Sequence, residues 1–269
     1  MTAMIRIIGI TYKNETNMKK TALITGATSG IGKATAERFA DEGIQLVLCG
    51  RRKERLIKLQ TELSPKTKVH ISCFDIRNKH EVFESIAHLP KEFYNINILV
   101  NNAGNAHGLD PIENGKIEDW DSMIDINIKG LLYVTKAVLT NMVKQRSGHI
   151  INIGSTAGKE VYPNGNVYCA SKHAVDALNQ GMRIDLNQYG IRVGAVNPGM
   201  VETEFSQVRF KGDIDRAKTV YKGFKALQAE DIADIIYFVI SRPYHVNIAD
   251  LTVMSTAQAS STIVNRNSE

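Results

Sequence analysis

The chain has 269 residues, 43% hydrophobic and 23% charged, a length and composition that can bury one large core and that disfavour disorder. Its formal charge of +5 comes without a dense Lys/Arg tract interleaved with aromatics, so neither nucleic acid nor membrane is an expected partner. Cys49, Cys73 and Cys169 have neither CxxC nor zinc-ligand spacing, which points to free thiols in a reducing, cytoplasmic setting and to no metal site.

Met4 to Ile10 is apolar but far shorter than the roughly 20 residues of a membrane span, and no cleavage-site pattern follows it. Residues 1 to 17 therefore read as an N-terminal extension outside the fold, with one domain over 18–269. From Lys20 onward, β-branched runs alternate with segments of helical period. The strand candidates are 21–25, 44–49, 68–73, 96–101, 149–153, 191–197 and 250–254; the helix candidates are 32–42, 53–63, 79–88, 117–144, 167–189 and 230–241. This alternation predicts an α/β fold: a single Rossmann-type, doubly wound parallel sheet of about seven strands with helices on both faces. Residues 199–223 lack clear periodicity and follow the sixth strand, where ligands of open α/β sheets sit, so they are expected to be a substrate-covering loop. A merely mobile connector is the plainer alternative.

The first strand runs into Thr25-Gly26-Ala27-Thr28-Ser29-Gly30-Ile31-Gly32 and then a helix. Glycines fall where a backbone must turn tightly against a pyrophosphate, with helix N-terminal amides behind them. The spacing is GxxxGxG, not GxGxxG, and it resembles the TGxxxGIG turn of the short-chain dehydrogenase/reductase family. Asn101-Asn102-Ala103-Gly104 at the end of the fourth strand and Asp75-Ile76 after the third match that family's motifs. The resemblance implies that Asn102, Ala103 and Gly104 line the adenine-ribose side of a dinucleotide and that Asp75 and Ile76 contact adenine.

At the end of the second strand, NAD enzymes place a carboxylate for the ribose hydroxyls. This chain has Cys49-Gly50-Arg51-Arg52 instead. An arginine fork grips a 2′-phosphate, whereas an acid repels it, so NADP is the expected cofactor, with Arg51 its main contact and Arg52 its second. The alternative is that both arginines simply open a solvated helix.

Tyr168 and Lys172 lie four residues apart in NVYCASKHAVDAL and so share one helix face. A nearby ammonium favours the phenolate and is expected to draw the phenol toward acid/base work near neutrality; the lysine can also bond the nicotinamide ribose. Ser155, thirteen residues before Tyr168 at the end of HIINIG, can polarise a substrate carbonyl. That separation matches the short-chain family, as does Asn127, for which the resemblance implies a locally opened helix and a fourth catalytic role. Pro198, Gly199, Val201 and Thr203 resemble the family's PGxxxT segment, which holds the nicotinamide carboxamide. Trp120 reads as core and His173 as exposed.

CGRRKERL, NINILVNNAG, HIINIGSTAG and TEFSQVRFKGD are similar to strings in the NADP-dependent 3-hydroxy acid (serine or allo-threonine) dehydrogenases. The resemblance implies a small carboxylated hydroxy acid or its semialdehyde as substrate, and a homotetramer. A carboxylate needs a cation; in 199–223, Arg209 is favoured over Lys211, the alternative being that both face water or another subunit. A broad carbonyl or 3-oxoacyl reductase is the second reading, and an NADPH-sensing module without turnover the non-enzymatic one.

Overall fold

The computed structural model of the chain describes residues 20–266, so the expected extension at 1–17 lies outside the described residues. Seven parallel strands form one sheet: β1 (Thr21–Thr25), β2 (Gln45–Gly50), β3 (Val69–Cys73), β4 (Ile98–Asn101), β5 (Gly148–Ile153), β6 (Ile191–Pro198) and β7 (Asp250–Val253), in the order 3-2-1-4-5-6-7. Each strand lies within a residue or two of its expected bounds. Helices α1 (Gly30–Asp41), α2 (Lys53–Leu63), α3 (Lys79–Ala87), α4 (Ile117–Ile124), α5 (Leu131–Gln145), α6 (Asn166–Leu186), α7 (Phe205–Arg209), α8 (Ile214–Thr219) and α9 (Ala229–Ile240) connect them.

Strand alternation divides the core in two. Ile24, Leu46, Leu48 and Val100 pack beneath α1, α2 and α9, while Leu23, Val47, Leu99 and Ile150 pack beneath α3, α5 and α6. Both faces are covered, which is why the central strands carry no polar face. The chain winds from β1 out to β3 and then returns to place β4 on the other side of β1. The connections after β1 and β4 therefore run to opposite faces of the sheet, and a crevice opens at the carboxyl ends of these strands.

Two helical expectations change. The segment read as one helix over 117–144 is split by a π-helical turn, Asp125–Gly130, between α4 and α5; an inserted residue shifts the helix face, and such turns mark functional positions. Residues 199–223 are not irregular throughout: they hold the short helices α7 and α8, with Val201 bridged to Leu227. Helices of one to two turns are too short for a 3.6-residue period to register. The Asp213 side chain, accepting from the Arg216 amide at 3.0 Å, starts α8.

Candidate active site

The glycine turn is held by the loop after β4. Asn102 Nδ2 donates to the Thr25 carbonyl at 2.9 Å and to the Gly26 carbonyl at 3.3 Å, and the Asn102 and Ala103 amides both donate to Thr25 Oγ1 at 3.0 Å. Gly26 (φ +66°) and Gly30 (φ +50°) occupy left-handed backbone that L side chains rarely adopt. A Cβ at Gly26 would lie 2.9 Å from Asn102 Nδ2, and one at Gly32 would collide with the same amide. Close packing of turn on loop leaves the α1 amino end open to a cleft of about 940 Å³, a size suited to a dinucleotide with a small substrate. Gly26, Thr28, Ser29, Gly30, Ile31, Asn102, Ala103 and Gly104 all line it; Gly32 lies behind, against Asn102.

Arg51, Arg52, Asp75 and Ile76 line the same cleft, but the two arginines differ. Arg51 is exposed, with Nη1 3.6 Å from Asp75 Oδ2. Arg52 is tied down: Nε and Nη2 donate to Thr28 Oγ1 at 2.9 and 2.7 Å, Nη2 to Ser29 Oγ at 2.7 Å, and Nη1 to Glu204 Oε2 at 2.8 Å. Asp75 pairs with Arg77, whose Nη2 lies 2.6 Å from Oδ2. Partial burial alone would raise the Asp75 carboxyl; the Arg77 bonds and the Arg51 charge hold it below its usual range.

On the other side of the switch, α6 brings Tyr168 and Lys172 over the end of β5. The short turn at Thr156–Gly158 packs directly on α6: a Cβ at Gly158 would lie 2.7 Å from the Lys172 carbonyl oxygen. So close an approach lets Lys172 Nζ donate to the Ile153 carbonyl at 2.9 Å. Ser155 starts that turn, its Oγ accepting from the Ala157 amide at 3.1 Å, and it lines the cleft together with Tyr168. Asn127 sits in the π-helical turn, buried. Its Oδ1 accepts from the Asn105 amide at 2.9 Å, while Nδ2 donates to the Asn105 carbonyl at 2.9 Å and to Ser171 Oγ at 3.0 Å. Asn127 Oδ1 and Lys172 Nζ both face Gly104, at 3.2 and 3.7 Å from the position of a Cβ there.

The electrostatics correct one expectation. Burial pushes the Tyr168 phenol above its ordinary value, and nearby Tyr162 raises it further; the Ser155 hydroxyl and the Arg209 charge oppose them and lose. The net shift is upward, not the lowering expected from the Lys172 ammonium. That ammonium is itself destabilised, burial pushing it down to about 8. The phenol is thus held protonated at neutrality, the form that gives a proton.

After β6, Pro198, Gly199, Val201 and Thr203 line the cleft. Thr203 lies across from Gly30, whose Cβ would fall 3.2 Å from the threonine Cβ and Cγ2. Arg209, at the end of α7, donates from Nε to the Gly108 carbonyl at 3.2 Å; its guanidinium carbon lies 5.6 Å from both the Tyr162 and Tyr168 ring centroids, and Nη2 is buried without a partner. Lys211 instead pairs with Asp119 at 2.8 Å. Trp120 packs in the small cluster containing Tyr168, and His173 is exposed on the far side of α6. Among the described residues no cluster of His, Cys, Asp or Glu is placed to hold a metal, and no helix is long and apolar enough to cross a membrane.

Sequence reasoning missed Arg55, Glu204 and Asn105. Arg55 follows Arg51 and Arg52 by one helical turn, a spacing that could have marked it; Glu204 and Asn105 carry no local signal, because their partners are distant in sequence.

A doubly wound sheet with a glycine cradle, a buried Tyr-Lys pair and a hydroxyl at one crevice defines an oxidoreductase of the dinucleotide-binding kind. The family model for short chain dehydrogenases matches residues 20–213, and the chain belongs to that family. It is 46% identical over 238 residues to the NADP-dependent 3-hydroxy acid dehydrogenase YdfG of Escherichia coli (strain K12), covering 88% of this chain and 95% of that one. It is 46% identical over 243 residues to sulfoacetaldehyde reductase 2 of Chromohalobacter salexigens, covering 90% and 96%. Its fold superposes with a TM-score of 0.87 and 43% identity on the closed form of a serine dehydrogenase complexed with NADP+, covering 92% of this chain and all of that one.

Proposed function

We propose that the chain is an NADP-dependent dehydrogenase acting between the 3-hydroxyl and 3-oxo forms of a small anionic substrate, a 3-hydroxy acid such as serine, allo-threonine, 3-hydroxypropionate or 3-hydroxyisobutyrate, or the matching semialdehyde. The observation that carries this reading is Arg209, a cation fixed 5.6 Å from the Tyr168 ring with one buried nitrogen unpartnered: it can hold a carboxylate beside the phenol. The names of the relatives, a 3-hydroxy acid, serine and sulfoacetaldehyde enzyme, all describe small molecules with an anionic group.

NADP, when bound, accepts or supplies the hydride. The Gly26–Gly32 turn and the α1 amino end would cradle its diphosphate, Arg51 and Arg52 its 2′-phosphate, Asp75, Ile76 and residues 102–104 its adenosine half, and Pro198, Gly199, Val201 and Thr203 its carboxamide. Tyr168 gives its phenolic proton to the carbonyl oxygen in reduction and takes the hydroxyl proton in oxidation. Ser155 donates a hydrogen bond to that same oxygen and steadies its developing charge. Lys172 would bond the nicotinamide ribose and so hold the cofactor beside the phenol. Asn127 fixes the loop after β4 against α6 and so sets where Lys172 meets the cofactor. Residues 199–223 cover the substrate, within one catalytic domain over 18–269. We place the enzyme in the cytoplasm as a homotetramer, on its resemblance to the hydroxy acid dehydrogenases; light scattering of the purified protein tests the assembly.

The discriminating experiment compares 3-hydroxypropionate with 1-propanol, and serine with ethanolamine, by NADPH absorbance. The acids should show kcat/KM at least about tenfold higher, the worth of one charge-assisted bond, and Arg209→Met should erase that advantage by raising KM. Equal rates with and without the carboxylate would favour the broad carbonyl or 3-oxoacyl reductase, and no turnover with any of them the sensing module.

A further inference from the structure

Every nitrogen of the Arg52 guanidinium is bonded to a protein oxygen: Nε and Nη2 to Thr28, Nη2 also to Ser29, and Nη1 to Glu204. Arg55 reaches the same carboxylate, its Nη1 lying 2.7 Å from Oε1 and 2.9 Å from Oε2 of Glu204. Thr28 and Ser29 accept from Arg52, so their own hydroxyl protons remain free to donate. Two guanidinium groups and two hydroxyls beside the cleft form a donor set suited to a phosphomonoester. The anion on that set belongs to the protein itself. Thr28, Ser29, Arg52 and Glu204 all line the cleft.

We propose that Glu204 is an internal competitor for the 2′-phosphate of NADP: its carboxylate holds the Arg52 guanidinium that the phosphate takes, and so limits affinity for the phosphorylated cofactor. The inference rests on the NADP reading above. A phosphomonoester carries up to two charges where the carboxylate carries one, so it displaces Glu204 from Arg52 and leaves the Arg55 pair in place. A cofactor without that phosphate has no such exchange to make. The side chains of Arg52 and Glu204 are 41% and 39% exposed, and ion pairs so open to water are individually weak. The competition therefore alters affinity by a small factor and does not block the site. Arg51, exposed and only loosely paired with Asp75, needs no displacement and remains the first arginine available.

Fluorescence titration of NADPH and NADH into the wild-type protein, Glu204→Gln and Arg52→Ala, and into the double variant, tests this without turnover. Glu204→Gln should bind NADPH about fivefold more tightly, the upper range for releasing a partly exposed ion pair, with NADH affinity changed by less than about twofold. The gain should vanish when Arg52 is already alanine, as a coupling routed through that side chain requires. Unchanged or weaker NADPH binding in Glu204→Gln overturns the proposal, as does an equal gain for NADH. A wild-type protein that binds NADH as well as NADPH sinks the NADP reading, whereas a wild-type preference for NADPH with no gain in the variant sinks the competitor alone.

Discussion

Lys172 pays for its position in the native state. Its ammonium is buried, bonded to the Ile153 carbonyl, and pushed down to about 8 from an ordinary 10.5. The unfolded chain binds that proton more tightly, so the destabilisation is full below pH 8 and fades as pH rises to 10.5. Such a shift corresponds to roughly 3 kcal/mol at neutral pH. Replacing the lysine by methionine removes the buried charge and forfeits one hydrogen bond worth about 1 kcal/mol. Lys172→Met should therefore be more stable than the wild type by about 2 kcal/mol in urea unfolding at pH 7, while losing nearly all turnover. A variant both inactive and less stable would mean that the lysine's place is structural. The sequence marked Lys172 through its spacing from Tyr168, but not its strain, because burial comes from the Thr156–Gly158 turn pressing on α6, a tertiary contact without a local signature.

The π-helical turn between α4 and α5 turns Asn127 inward, where it satisfies both backbone groups of Asn105 and reaches Ser171; Ser171 Oγ in turn donates to the Tyr168 carbonyl at 2.7 Å. One side chain thus joins the loop after β4 to the helix carrying the phenol. Asn127→Ala leaves buried polar groups on Asn105 unpaired, and should destabilise the protein by about 2 kcal/mol and lower kcat more than it raises KM. Thermal unfolding with steady-state kinetics checks both; an intact Tm with unchanged kcat would remove the clamp from the account. Strands were legible because a doubly buried sheet demands continuous apolar runs, as in Leu23-Ile24 and Leu46-Val47-Leu48. Register shifts within a helix were not. The apolar pattern of 117–144 continues through the π-helical turn, and only the resemblance to a family hinted at an opening at Asn127. The short helices α7 and α8 escaped for the opposite reason, having too few residues to show a period.

Among the described residues, the polar groups of the crevice cluster at the carboxyl ends of the strands, and His149 lies away from them. His149 enters β5 from the opposite end, beside Arg192 on β6, fully enclosed and with neither ring nitrogen bonded. Burial pushes it down to about 3, and the Arg192 and Lys20 charges add to that. The unfolded chain takes up a proton below its ordinary 6.5 and the native chain does not, so stability falls by about 1.4 kcal/mol per pH unit between 6.5 and 3. Between pH 6.5 and 5, His149→Leu should lose about 2 kcal/mol less than the wild type; parallel losses would show that other groups govern acid sensitivity. The alternating pattern suggested a doubly wound parallel sheet but not its strand order, which brings the loops after β1, β4, β5 and β6 to one end. The arginine and glutamate network around the crevice was only partly legible, since Arg51 and Arg52 sit in one motif while Glu204 arrives from more than 150 residues away. Turnover depends above all on the phenol at that crevice. In Tyr168→Phe, 3-hydroxy acid oxidation followed by NADPH absorbance should fall by at least about a hundredfold, the low end for loss of a positioned acid/base, while titration finds NADPH binding within about twofold of wild type. Turnover surviving at a comparable rate in a variant that still binds the cofactor would contradict that dependence.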